Sequence, residues 1–216
     1  MKIFLDTSDI DVIRKHCETG LIDGVTTNPT LMMQAGRNPV EVIKEISSLF
    51  IEHASISAEV VGDTAQEMVS QAKDYYSISE NITIKVPCTV EGLKACKVLS
   101  DKEIPVNVTL IFSVEQAILS AKAGATYVSP FIGRCEDNNI DGIGLIASIK
   151  KVYGINNIST NILAASIRNV VQVGQVFEAG ANIVTLPPSI FEEMYKHDLT
   201  DQGIKQFDKD WKKLNS

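Results

Sequence analysis

Ile82-Thr-Ile-Lys-Val-Pro87 places one lysine, Lys85, inside a short apolar run, with hydrophobic neighbours on both sides. A strand lysine is ordinarily a solvated edge residue, and taken alone Lys85 would be read that way. Comparable runs occur at Lys2–Asp6, Gly24–Thr27, Ile56–Val60, Val106–Leu110, Tyr127–Phe131, Ile158–Leu163 and Ile183–Leu186. With Thr83–Val86 these make eight predicted strands. Amphipathic stretches separate them: Ile10, Ile13 and Cys17, or Val40, Ile43, Ile46, Leu49 and Phe50, follow the three-to-four spacing of a buried helical face. Asp9 or Ser8 can cap the first helix, Gly20 and Gly124 stand where helices should stop, and Ser113-Val-Glu-Gln116 reads as a capping box.

Eight strand–helix units in 216 residues are about 27 residues each, near the lower limit for a (β/α)8 TIM barrel. A doubly wound sheet is the competing arrangement, since it accommodates fewer or more strands. Without a linker or low-complexity break, residues 1–216 read as a single barrel domain. The stretch 200–214, with Ile204, Phe207 and Trp211 on one stripe, forms an appended C-terminal helix. That stripe can pack on its own barrel, the slightly favoured reading, or on a neighbouring subunit.

Strands of a parallel barrel are covered on both faces and should be nearly continuous Val, Ile and Leu. Here six of them break that rule, mostly near their C-terminal ends: Asp6; Thr26 and Asn28; Glu59; Lys85; Asn107 and Thr109; Ser129. Barrel active sites are assembled at that end from several strands. A closed barrel also has no edge to hold a solvated lysine, so Lys85 must point into the pocket or out at the helices. Burial among mostly uncharged groups would favour its neutral amine, the nucleophile of Schiff-base chemistry. Asp6 and Glu59 are the two carboxylates expected inside the ring, where they could move protons; solvated strand-end acids are the plain alternative. Arg134 follows the sixth strand and Ser166-Ile-Arg168 the seventh, a common barrel phosphate position.

Other chemistries find little support. The net charge of −7 and the lack of a long basic run argue against nucleic acid. No apolar stretch is long enough to cross a membrane as a helix, and the N-terminal run reaches Asp6 before a signal-peptide core could form. Cys17, Cys88, Cys96 and Cys135 lack zinc spacing and read as reduced thiols of a cytoplasmic, metal-free protein. Gly142-Ile-Gly144 imitates a dinucleotide fingerprint, but Cys135–Asp141 before it reads as a polar loop, so Gly142 is expected to open a helix. His16, His53 and His197 fall in helices or at helix ends and are given core or surface roles.

These residues resemble the small single-domain transaldolases and their relatives, the fructose-6-phosphate aldolases. The resemblance covers almost the whole chain. It rests on Phe4-Leu-Asp6-Thr, Gly24-Val-Thr-Thr-Asn-Pro-Thr30, Ile84-Lys-Val-Pro87, Asn107-Val-Thr109-Leu-Ile-Phe112, Ser129-Pro-Phe-Ile-Gly-Arg134 and Ala164-Ala-Ser-Ile-Arg168. It implies a Schiff-base barrel enzyme without metal or cofactor, assembled as a homo-oligomer, a pentamer or a decamer. Lys85, Asp6, Glu59 and Thr109 would be catalytic, with Thr109 holding a water for Glu59. Thr26, Asn28, Asn107, Ser129, Phe131, Arg134, Ser166 and Arg168 would bind the sugar-phosphate substrate. Glu59, Phe131 and Ser129 match the transferases, where the aldolases carry glutamine, tyrosine and alanine. The implied activity is therefore transfer of a dihydroxyacetone unit in the non-oxidative pentose phosphate pathway. A lyase releasing free dihydroxyacetone, a non-catalytic sugar-phosphate binder and a carboxylate-only isomerase are the competing readings.

Overall fold

The computed structural model describes residues 1–50 and 54–214. Eight parallel strands close into a barrel in chain order. They are β1 (Lys2–Asp6), β2 (Gly24–Thr26), β3 (Ser55–Glu59), β4 (Ile82–Pro87), β5 (Val106–Ile111), β6 (Tyr127–Pro130), β7 (Asn161–Ala164) and β8 (Ile183–Leu186). The main connecting helices are α1 (Ile10–Cys17), α3 (Pro39–Ser48), α4 (Ala65–Tyr76), α5 (Val90–Ser100), α6 (Val114–Lys122), α8 (Gly142–Ile155) and α9 (Val170–Glu178). Short helices α2 (Pro29–Ala35), α7 (Ile132–Asp137) and α10 (Pro188–Glu193) follow β2, β6 and β8, and α11 (Asp198–Leu214) ends the described chain. The fold is the expected (β/α)8 barrel with a C-terminal helix.

Strand alternation divides the side chains. Outward-facing Leu5, Val25, Ile56, Ile84, Val86, Val108 and Val128 are buried against helical residues such as Ile13, Ile43, Ile46 and Leu99. The barrel interior holds a small apolar cluster of Phe4, Leu163, Ala165 and Ile183, backed by Tyr127 and Phe131. Much of the remaining interior is polar. Ser55 and Thr83 share a hydrogen bond of 2.8 Å, and Asn107 reaches Ser57 at 3.3 Å. Such groups are stable in a dry interior only when partnered, so they force a definite arrangement.

Local signals behave as the sequence predicts in several places. Asp9 caps α1 by accepting from the Asp11 and Val12 N–H groups. Gly20 and Gly124 adopt left-handed backbone at helix ends, with φ of 70° and 89°. Ser113 accepts from the Gln116 N–H, but Gln116 accepts from Phe112, not Ser113, so the reciprocal box is incomplete there. A full capping box instead opens α4, between Thr64 and Glu67. On α3 the buried face is Val42, Ile43 and Ile46, while Val40 is exposed.

Two loop readings change. Ile158 is spent on ending α8, where Asn157 turns left-handed and the Ile158 N–H donates to the Tyr153 carbonyl, so β7 starts at Asn161. Cys135–Asp137 belong to α7, held by the Cys135 N–H on the Phe131 carbonyl, and only the remainder up to Asp141 is loop. Gly142 does open a helix, with Asp141 capping it through the Gly144 N–H. His16 is buried against Phe191, His197 precedes α11, and His53 lies outside the described residues.

Candidate active site

The C-terminal ends of the strands surround a cavity of about 200 Å³. Asp6, Thr26, Asn28, Lys85, Asn107, Ser129, Phe131, Arg134, Ser166 and Arg168 line it, whereas Glu59 and Thr109 do not. Register explains the gathering. Glu59 on β3 pairs with Lys85 on β4, which pairs with Asn107 on β5, while Asp6 on β1 pairs with Thr26 on β2. Aligned Cα positions on parallel neighbours send the side chains of each row to the same face of the sheet.

Among the described residues Lys85 is the one buried lysine. Its Nζ lies 3.0 Å from Glu59 Oε2 and donates to the Thr27 carbonyl at 3.1 Å. Lys85 therefore has a carboxylate in direct contact, not the mostly uncharged surroundings its sequence neighbours imply. Glu59 is the residue of this row that does not line the central cavity. It faces a second hollow of about 330 Å³ between the ends of β2 and β3 and the helices outside them, where Met32, Ile43 and Tyr75 are neighbours.

Asp6 accepts from Thr26 Oγ1 at 2.8 Å, and Thr26 meets Thr185 Oγ1 at 2.6 Å. With Asp6 ionised, the Thr26 proton points at the carboxylate, so Thr185 must donate to Thr26. Burial pushes the Asp6 carboxyl above its ordinary range, against the opposing pull of the Lys85 charge and the Thr26 hydrogen bond. Asn107 is fixed from both sides, donating to Ser57 and accepting from Ser129 Oγ at 2.7 Å. Asn28 Oδ1 is committed to capping α2 through the Leu31 N–H, leaving its amide nitrogen free of that duty. Among the described residues the buried Thr109 hydroxyl has no hydrogen-bond partner.

At the rim the construction differs. Arg134 and Arg168 are exposed. The Arg134 guanidinium stacks 5.0 Å from the Phe131 ring centre, and Phe131 meets Phe112 edge-on at 6.0 Å. Ser166 adopts left-handed backbone, φ 60°, unusual for a residue with a side chain. A Cβ at Gly133 would stand 2.4 Å from both Arg168 Nε and the Ser166 carbonyl, so glycine is required for α7 to approach this loop.

Thr185, Ile167, Pro187 and Ala165 also line the cavity and were not legible as site residues. Thr185 had a signal, a hydroxyl in the apolar run Ile183-Val-Thr-Leu186; the Thr27 carbonyl had none, because backbone carries no sequence mark. Among the described residues no three His, Cys, Asp or Glu side chains gather as a metal site, and no helix is long and apolar enough to cross a membrane.

Comparison with known proteins bears on the fold and the family. A solved thiamine phosphate pyrophosphorylase from Pyrococcus furiosus is similar in fold, with a TM-score of 0.62 at 16% identity over 86% of this chain and 85% of that one. A probable transaldolase of Caulobacter vibrioides is 50% identical, covering 98% of this chain and 96% of its own length. One from Clostridium kluyveri is 51% identical over 99% of both chains, and one from Symbiobacterium thermophilum 49% identical over 98% and 97%. The family model for transaldolase/fructose-6-phosphate aldolase matches residues 3–216. With that match, and relatives at half identity over nearly its full length, this chain belongs to the transaldolase/fructose-6-phosphate aldolase family.

Proposed function

We propose that the protein is a transaldolase, moving a dihydroxyacetone unit from sedoheptulose 7-phosphate to glyceraldehyde 3-phosphate to give erythrose 4-phosphate and fructose 6-phosphate, or the reverse. The observation that carries this reading is the buried Lys85 amine 3.0 Å from Glu59, with Asp6 lining the same cavity. Glu59 takes the ammonium proton, and the neutral amine attacks the ketose C2 carbonyl. Loss of water leaves an iminium, with Glu59 supplying the proton and the orphan Thr109 hydroxyl orienting the water. Asp6 removes the C4 hydroxyl proton, the C3–C4 bond breaks, and its electrons flow into the iminium to form an enamine. The aldose phosphate departs. A second aldose phosphate is attacked by the enamine, Asp6 returns the proton to the new alkoxide, and hydrolysis frees Lys85.

The raised affinity of Asp6 for a proton suits a group that must hold and return one. Asn28, Asn107 and Ser129 would bind the hydroxyls of the retained fragment, and Thr26 would fix Asp6. Arg134, Ser166 and Arg168 would bind the phosphate. Phe131, backed by Phe112 and Arg134, offers no hydroxyl to position water against the enamine, which favours transfer over release. The four free thiols fit a cytoplasmic setting. Ile204, Phe207 and Trp211 on α11 are 53%, 75% and 68% exposed, which supports a homo-oligomer, of five or ten copies by resemblance, in which this stripe meets a neighbour. Light scattering giving a monomer would overturn that assembly.

Borohydride with fructose 6-phosphate should leave a reduced adduct on Lys85, found by peptide mapping. Erythrose 4-phosphate should then be needed for turnover. An adduct on another lysine removes the mechanism. Free dihydroxyacetone appearing as fast without acceptor as transfer proceeds with it makes the protein the aldolase instead.

A further inference from the structure

Two carboxylates, Glu136 and Asp137, stand on α7 beside the Arg134 and Arg168 rim, where their charge should oppose any anion. Both are engaged. Asp137 Oδ2 accepts from Arg168 Nη2 at 3.0 Å, and Glu136 Oε2 accepts from Gln172 Nε2 at 2.6 Å. Gln172 is 3% exposed, and its Oε1 accepts from the Arg168 backbone N–H at 2.7 Å. Its own N–H donates to Asn169, the N-cap of α9, so its backbone is fixed by the helix and its side chain by two partners. The linkage runs from α7 through one buried amide to the loop between β7 and α9.

That loop needs holding. Ser166 has φ 60°, a conformation that costs energy in a residue with a Cβ. Its carbonyl accepts from the Gly133 N–H at 2.9 Å, and the Ala165 carbonyl accepts from the Ile132 N–H at 2.9 Å. These backbone bonds tie the front of the loop to the start of α7, whereas Gln172 ties its far side to the end of α7. Arg134 rides on α7 and Arg168 on the loop, so these ties, together with the Asp137–Arg168 pair, join the two elements that carry the guanidinium groups.

We propose that Gln172, with Glu136, is a positioning residue for phosphate recognition: the pair fixes the Ser166–Arg168 loop against α7 and thereby the separation of Arg134 and Arg168. This rests on the reading of the cavity as a sugar-phosphate site. The pair also neutralises a liability, because a Glu136 carboxylate occupied by a buried donor is held in place and kept from competing for Arg168. Only the geometry of donor and acceptor matters in this account, so exchanging the two side-chain types should preserve it. Gln172→Glu alone sets two carboxylates against each other. Adding Glu136→Gln restores one donor between them, while the carboxylate introduced at position 172 can still accept from the Arg168 N–H.

Borohydride trapping read as half-saturation by fructose 6-phosphate and, separately, by unphosphorylated dihydroxyacetone tests this. Gln172→Glu should raise the first about tenfold and leave the second within about twofold, and the double variant should recover most of the loss. Equal weakening for both compounds would mean a merely structural role, and a double variant as weak as Gln172→Glu would overturn the pairing. Inorganic phosphate gives a readout without chemistry. It should raise the thermal midpoint of the unaltered protein and the double variant, and much less that of Gln172→Glu. No phosphate stabilisation of the unaltered protein, or equal stabilisation of all three, would overturn the inference. A phosphate pattern as expected without any trapping would leave the anion site standing and remove the Schiff-base reading alone.

Discussion

The amine end of the cavity and its anion end are built on different plans. Glu59, Lys85 and Asn107 stand on adjacent strands in register, with Thr26 on the strand before them, and each is held by a contact of 3.3 Å or less to another part of the barrel. Arg134 and Arg168 stand on a six-residue helix and a loop, and both are exposed. Bond-making chemistry requires reacting atoms placed to within a fraction of an ångström, which sheet hydrogen bonding provides. A phosphate at the far end of a sugar tolerates more play, and it must be gripped and released from two substrates in each cycle. A rim of solvated arginines suits that, because exposed charge pairs are individually weak.

The largest effect expected from this contrast is at Lys85. Lys85→Arg should abolish borohydride trapping and turnover, since the guanidinium stays charged and is no nucleophile, while circular dichroism keeps its native shape. A trapped adduct in that variant would break the distinction between the two ends. Asp6→Asn should cost roughly 10²–10⁴ in kcat. It should also stabilise the fold near neutral pH. The raised native pKa means that Asp6 binds its proton more tightly when folded, so wild-type stability is lost as pH rises above the ordinary value of 3.8 towards the native one. The gain from asparagine should shrink to nothing at lower pH; thermal unfolding across pH is the measurement, and a gain independent of pH would contradict it.

At the anion end, smaller and salt-sensitive losses are expected. Arg134→Ala should weaken fructose 6-phosphate about tenfold while sparing dihydroxyacetone, and added salt should narrow the gap. Equal losses would place Arg134 with the structural residues through its contact with Phe131. The smallest effect concerns Thr109, whose buried hydroxyl has no hydrogen-bond partner among the described residues. Thr109→Val breaks no hydrogen bond among the described residues, so stability should hold. Imine formation, followed by trapping against time, should slow by about tenfold if that hydroxyl orients the water. A destabilised valine variant with unchanged trapping would reverse the assignment.

The same contrast explains what was legible. Residues at the amine end announced themselves because a charged or hydroxyl side chain inside an apolar run is visible without knowing what lies opposite. Thr185 escaped although its hydroxyl bonds Thr26, because one threonine in an apolar strand is unremarkable until the barrel closes and puts β8 beside β1. Arg134 and Arg168 were found by position after strands, but their dependence on Gln172 and Glu136 was not, since a glutamine and a glutamate 36 residues apart look like any helix surface. Ile158 was misassigned because an apolar residue ending a helix and one starting a strand have the same local signature.

Side-chain type and strand period are local properties, so the sequence alone marked eight strands and their polar C-terminal ends, whereas the face on which Lys85 lies is decided only when the barrel closes. Contacts across long stretches of chain are decided elsewhere. Lys85 meets the Thr27 carbonyl 58 residues away, and Thr26 meets Thr185 across 159 residues. Glu59 reaches Lys85 only because β3 and β4 align at that register, and Gln172 reaches Glu136 only because α7 folds back on the loop after β7. Closure of the barrel sets those distances, and no local preference encodes them, because each partner's own backbone is equally content without the other.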